Sequence, residues 1–172
     1  MRGTIVEGLA DDSTGSISST DAQLTKFHGT YLQDNRDERK ALLKERKEKA
    51  FSFMIRVRVP GGVCTPAQWL GIDELSDKFA DGTLKLTTRQ AFQLHGVLKR
   101  NLKQTMKEIN DTLLDTLAAC GDVNRNVMSP SNPFESSLHG EALSLAQEIH
   151  DHLTPQTTAY AEIWLDEEKI SV

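Results

Sequence analysis

Apolar and polar positions alternate strictly through residues 51–60. Phe53, Ile55, Val57 and Val59 fall on one side, and Met54, Arg56 and Arg58 on the other. A period of two predicts a strand with one buried face, stopped by Pro60-Gly61-Gly62. The same alternation returns twice. Leu84 and Leu86 oppose Lys85, Thr87 and Arg89, and then Phe92, Leu94 and Leu98 oppose Gln93 and His95. Between the strands the spacing turns helical. Thr65-Pro66-Ala67-Gln68 is a capping box with proline in the first turn, followed by Trp69, Ile72, Leu75 and Phe79 on one face and Gly82 at the end. A second, long helix is expected to open at Asn101 and Gln104. Its stripe is Leu102, Met106, Ile109, Leu113 and Leu117, closed by Gly121, and residues 124–128 are expected to form a fourth, short strand.

The predicted order is strand, helix, strand, strand, helix, strand. This is the α+β, ferredoxin-like split βαβ arrangement (βαββαβ), an antiparallel sheet with both helices on one face. The helices, with Trp69, Leu75, Met106 and Leu113, should cover the apolar face. The other face should collect Arg56, Arg58, Lys85, Thr87, Arg89, Gln93, His95 and Arg125, with no acidic residue on these strand faces to neutralise them. Such a face is built to bind anions.

Around this half-domain (51–130) lie an N-terminal part (1–50) and a C-terminal part (131–172). Residues 1–25 show no periodicity and predict an irregular arm, 26–31 a short extended segment, and 36–50 a charged surface helix. Asn132, Pro133 and Glu135 repeat the capping logic before a helix striped by Leu138, Ala142, Leu145, Ile149 and Leu153. Residues 159–165 begin another strand with no partner in view, so the chain is expected to be a truncated piece of a longer protein.

Composition narrows the function classes. Over 172 residues the net charge is −5, with 38% hydrophobic and 26% charged residues, as in a water-exposed globular domain. The balance argues against a general nucleic-acid binder. No apolar run is long enough to cross a membrane and no secretory core opens the chain, which makes the cytoplasm the expected compartment. Cys64 and Cys120 lack ligand spacing, and His150 and His152 diverge on a helix, so no metal site is expected in this chain. Single-stranded RNA modules of the same topology stack bases on outward aromatic residues. Here the outward positions are cationic or polar.

Several motifs together resemble the sirohaem nitrite and sulfite reductases, especially the NADPH-dependent assimilatory sulfite reductases. These are Phe27-His-Gly-Thr-Tyr31, Met54-Ile-Arg-Val-Arg-Val-Pro-Gly-Gly62, Leu86-Thr-Thr-Arg-Gln-Ala-Phe-Gln-Leu-His-Gly96, Asn124-Arg-Asn-Val127 and Tyr160-Ala-Glu-Ile-Trp-Leu-Asp166. The resemblance runs the length of the chain and implies the N-terminal half of such an enzyme. In the family, sirohaem coupled through a cysteine sulfur to a [4Fe–4S] cluster delivers six electrons to sulfite, giving sulfide, with NADPH electrons arriving through a flavoprotein α subunit. The resemblance implies that Arg56 and Arg125 bind sulfite. It implies that Arg58, Lys85, Thr87, Arg89, Gln93, His95 and Asn126 contact sirohaem, whose eight carboxylates call for such cations. Lys85 departs from the arginine common in that motif. The four cluster cysteines, and two lysines beside the substrate, belong to a C-terminal half absent here, so this chain alone is expected to be inactive. A sirohaem nitrite reductase is the sibling expectation. A non-catalytic anion- or RNA-binding module of the same topology is the alternative from another class.

Overall fold

In the computed structural model, residues 3–117, 124–155, 163–165 and 168–170 are described. The central sheet has four antiparallel strands: β1 (Thr30–Asp34), β2 (Phe51–Val57), β3 (Leu84–Leu86) and β4 (Phe92–Val97), in the order β1-β2-β4-β3. The inner faces of β2 and β4 drive its formation. Phe53, Ile55, Val57, Phe92, Leu94 and Val97 are all buried, as alternation predicts.

Two long helices close that face. In α4 (Pro66–Phe79), Thr65 accepts from the Gln68 amide and the Gln68 side chain accepts from the Thr65 amide, completing the predicted capping box. Ile72 and Leu75 of α4 join Leu102 and Ile109 of α5 (Lys99–Asp111) in one core with the strands. This is the ferredoxin-like, mixed α+β arrangement expected from the pattern.

Several elements differ from expectation. Residues 124–128 form no strand, and β1 takes the edge position beside β2. Thr30 to Asp34 pair in register with Ile55 to Phe51, whereas the main chain of 124–128 meets β2's exit turn only where Gly61 N–H donates to the Val127 carbonyl. Helix α5 starts at Lys99 and stops at Asp111, because Leu113 takes a positive φ of 63° that an α-helix cannot continue through. Leu113 is therefore 88% exposed instead of packing on the sheet. Gly121, the expected stop, lies outside the described residues. Leu86 is likewise exposed, at the end of a short edge strand, and Trp69 is only partly covered.

The N-terminal part is more ordered than its composition suggests. It holds α1 (Ile5–Ala10), α2 (Ser19–Leu24) and a 3₁₀ turn (Thr25–His28). Buried Asp21 accepts from both the amide and hydroxyl of Thr4, and the Lys99 ammonium donates to the carbonyls of Gly8, Asp11 and Ser16. The Asp21 bonds fold the arm on itself and the Lys99 bonds, invisible to periodicity, hold it on the half-domain. The charged helix shrinks to α3 (Arg39–Lys44), where the left-handed Arg46 (φ 53°) follows its end.

Helix α6 (Ser137–Leu153) is capped by Ser136 rather than Asn132, whose side chain instead accepts from the Phe134 amide. Ala146 and His150 are its buried residues, while Leu138, Leu145, Ile149 and Leu153 stay exposed. β5 (Ile163–Leu165) has a partner after all, pairing antiparallel with β6 (Glu168–Ile170). The remainder of the expected 159–165 strand, and Cys120, lie outside the described residues. Among the described residues no helix is long and apolar enough to cross a membrane.

Candidate anion site on the open sheet face

Register builds the site. Gln93 of β4 stands opposite Arg56 of β2 on one side and Lys85 of β3 on the other. Directly opposed residues share a face, so these three form one polar row across the sheet, away from the helices. His95 extends the row, its Nε2 lying 3.2 Å from Gln93 Oε1.

A cavity of about 310 Å³ opens where this row meets the loop between β3 and β4 and the segment carrying Arg125. Its lining includes Arg56, Thr87, Arg89, Gln93, Arg125 and Asn126, and no carboxylate. Arg56 is half-buried. Its guanidinium lies 5.1 Å from the Tyr31 ring centre, and its Nε is buried with no hydrogen-bond partner among the described residues. A desolvated, unsatisfied guanidinium N–H costs free energy until an acceptor arrives. Thr87 shapes the loop, its hydroxyl accepting from the amides of Arg89 and Ala91.

Lys85 and His95 share the face without lining the cavity. Lys85 Nζ is 3.7 Å from Asp81 Oδ2, a weak exposed pair, so one acid reaches this edge from the turn before β3, outside the strand faces. Burial, reinforced by Lys85 and Arg56 against the opposing pull of Asp81, holds the His95 imidazole below its ordinary pKa of 6.5. His95 is thus a neutral group at neutral pH.

Arg58 corrects the expectation most. It borders the cavity but is 2% exposed, with its head turned into a cluster of its own. Its Nε donates to Asp115 Oδ1 at 2.9 Å, Nη2 lies 2.7 Å from the same oxygen, and Nη2 also donates to the Thr154 hydroxyl. His150 Nε2 stands 3.8 Å from the other oxygen of Asp115, and burial lowers its pKa. A strand's alternation assigned Arg58 to the open face. β2 ends at Val57, however, and Asp115 supplies the charge match just beyond it. The larger cavity, of about 620 Å³, surrounds this cluster. It is the weaker candidate, because Asp115 already balances its arginine and its rim at Leu117 adjoins residues outside the described set.

Asn126 lines the cavity and is buried. Its side-chain amide is spent on main-chain partners at Val59, Arg89 and Gln90. Gln90 and Ser129, which bond each other reciprocally across the same corner, went unnoticed in the sequence because neither sits on a periodic element.

The donor set fits oxyanions and carboxylates, since arginines with a glutamine supply N–H groups in excess. It does not fit a bare metal ion, and among the described residues no group of three His, Cys, Asp or Glu could hold one. Cys64 is partly buried with a raised thiol pKa, and is no cluster ligand by itself.

Comparison with known proteins agrees with this architecture. Residues 44–112 match the nitrite/sulfite reductase ferredoxin-like half domain. Over 170 residues the chain is 59% identical to a sulfite reductase [NADPH] hemoprotein beta-component from Staphylococcus saprophyticus subsp. saprophyticus, covering 99% of this chain and 30% of that protein. The corresponding protein of Anoxybacillus flavithermus is 60% identical over 171 residues, with the same coverage. The structure of the Mycobacterium tuberculosis NirA protein superposes with a TM-score of 0.70 at 26% identity, covering 88% of this chain and 29% of that one. The chain thus spans about 30% of the length of the curated relatives it matches.

Proposed function

We propose, from the premise that residues 44–112 form a nitrite/sulfite reductase ferredoxin-like half domain, that this chain supplies the cationic wall of a sulfite-reducing site. The observation that carries the reading is the cavity edged by Arg56, Arg89 and Arg125, free of carboxylates, with the Arg56 Nε–H buried and unsatisfied among the described residues. Sulfite, a compact oxyanion, offers acceptors to the buried Arg56 Nε–H and to the exposed Arg125 guanidinium. Each charge-assisted bond contributes about 1.5–3 kcal/mol.

Sirohaem, electronically coupled to a [4Fe–4S] cluster, would pass on the six electrons that take sulfite to sulfide. Arg89, Lys85, Thr87, Gln93 and His95 would receive its carboxylates on the open face. Arg58 borders the site with its charge already paired, so its part in carboxylate binding is indirect. The cluster's thiolates would come from the portion that the relatives possess beyond this chain's span. Electrons would come from NADPH through a flavoprotein partner, and the reaction would run in the cytoplasm. Similarity to relatives named for NADPH-dependent sulfite reduction favours sulfite over nitrite as substrate.

The test uses the complete reading frame containing this chain, co-expressed with sirohaem synthesis. Arg56→Ala and Arg125→Ala are expected to keep the haem absorption spectrum while sulfide production falls by roughly tenfold or more. Unchanged sulfite turnover in both variants would overturn the assignment.

A further inference from the structure

Asn126 is 5% exposed and sits where three chain segments converge. Its Oδ1 accepts from the Val59 amide at 2.7 Å. Its Nδ2 donates to the carbonyls of Val59, Arg89 and Gln90 at 2.8, 2.9 and 3.0 Å. One carboxamide therefore joins the exit of β2, the β3–β4 loop and the segment bearing Arg125. Around it, Gln90 (φ 53°) donates to the Ser129 carbonyl at 2.7 Å and accepts from the Ser129 amide at 3.1 Å. Gly61 N–H reaches the Val127 carbonyl at 2.8 Å.

This arrangement explains how arginines on three separate segments come to edge one cavity. Arg125 and Arg89 are exposed and lie outside regular strands. Strand pairing fixes Arg56 through Gln93, but no ladder reaches the other two. We propose that Asn126 is a positioning residue for the anion site, holding Arg125 at the distance from Arg56 that one oxyanion can bridge. The inference rests on the anion-binding reading above and adds how that site is assembled. Only a carboxamide offers an acceptor to Val59 and donors to the carbonyls from one rigid plane. Aspartate would turn a second acceptor toward those carbonyls, and glutamine would need another methylene's space at a buried position.

The probe is inorganic sulfite, titrated into this 172-residue chain and followed by backbone and arginine Nε NMR signals. Each variant is measured below its own melting temperature, where dispersed spectra show it folded. Arg125→Ala is expected to weaken sulfite about tenfold, and Asn126→Ala to weaken it comparably. Because Asn126 acts through Arg125, the double variant should bind no more weakly than Arg125→Ala alone. A residue needed merely for stability would not show that non-additivity in the affinity of folded protein. Wild-type affinity in Asn126→Ala, or a double variant losing the product of both effects, overturns the inference. Should Asn126→Ala fail to fold, Gln90→Ala loosens the same corner and should lower affinity severalfold; wild-type affinity there also overturns it. If instead Arg56→Ala and Arg125→Ala both bind sulfite normally, the anion-site reading itself falls, whatever Asn126 does.

Discussion

Arg56 and Arg58 stand two residues apart on one run of alternating sequence, yet the fold treats them in opposite ways. Arg58 is sealed, its charge answered by Asp115 and its fork extended to Thr154, although its Nη1 is also buried without a partner among the described residues. Arg56 is half-buried against Tyr31, with a buried Nε left unsatisfied and no acid in the cavity it faces. Both are arginines near the same sheet face. One has its charge neutralised by the fold, and the other, with no counter-charge in its cavity, is left for a ligand. The comparison teaches that a cationic face identifies a binding site only where the structure withholds the counter-charge.

The largest expected effect breaks the neutralised side. Asp115→Ala would strand a fully buried guanidinium, and loss of one partner from a buried pair costs about 3–5 kcal/mol. Because Asp115 itself is partly exposed, the lower end of that range is expected, read as a reduced urea midpoint with unchanged slope. A shift no larger than that of a surface substitution would erase the distinction between the two arginines.

Next comes the side without a counter-charge. Arg56→Ala should leave the urea midpoint nearly unchanged, while sulfite affinity drops about tenfold, the loss of one charge-assisted bond. Equal destabilisation by Arg56→Ala and Asp115→Ala would show that Arg56 is structural.

A third measurement uses pH. Burial lowers the pKa of His28, His95 and His150 below the unfolded value of 6.5. The unfolded chain therefore binds more protons as pH falls through 6.5 toward the folded values, and stability present above that window should decline across it. Added sulfite sharpens the comparison. The anion should raise the titration midpoint of His95, beside the cavity, and leave that of His150, beside Arg58 and Asp115, where it was. Proton NMR of the imidazole signals reads both. Equal movement of the two would mean that the anion does not discriminate between the sites.

The smallest effect belongs to the exposed edge. Lys85→Ala removes a solvent-screened pair with Asp81 and should cost less than about 1 kcal/mol of stability.

How much of this was readable beforehand differs from element to element. The core strands, the capping box at Thr65 and the ferredoxin-like arrangement followed from hydrophobic period and local capping chemistry. Both are properties of neighbouring residues, so the sequence carries them openly. The row Arg56–Gln93–Lys85 was also legible, because alternation within a strand determines which side chains share a face. The exchange of β1 for the expected 124–128 strand was not. Residues 30–34 and 124–128 were both short segments without a strong period, and only long-range pairing chose between them.

The sequence by itself determined which residues alternate, which helices start and stop by their caps, and which cations the alternation groups together. Tertiary structure alone decided which of those cations would be neutralised. Asp115 lies 57 positions from Arg58 and Asn126 lies 67 from Val59, and no local rule connects them. Charge pairing in a protein depends on distance through space and on exclusion of water. Both exist only once the sheet has formed and the segments after α5 and around Arg125 have closed against its end.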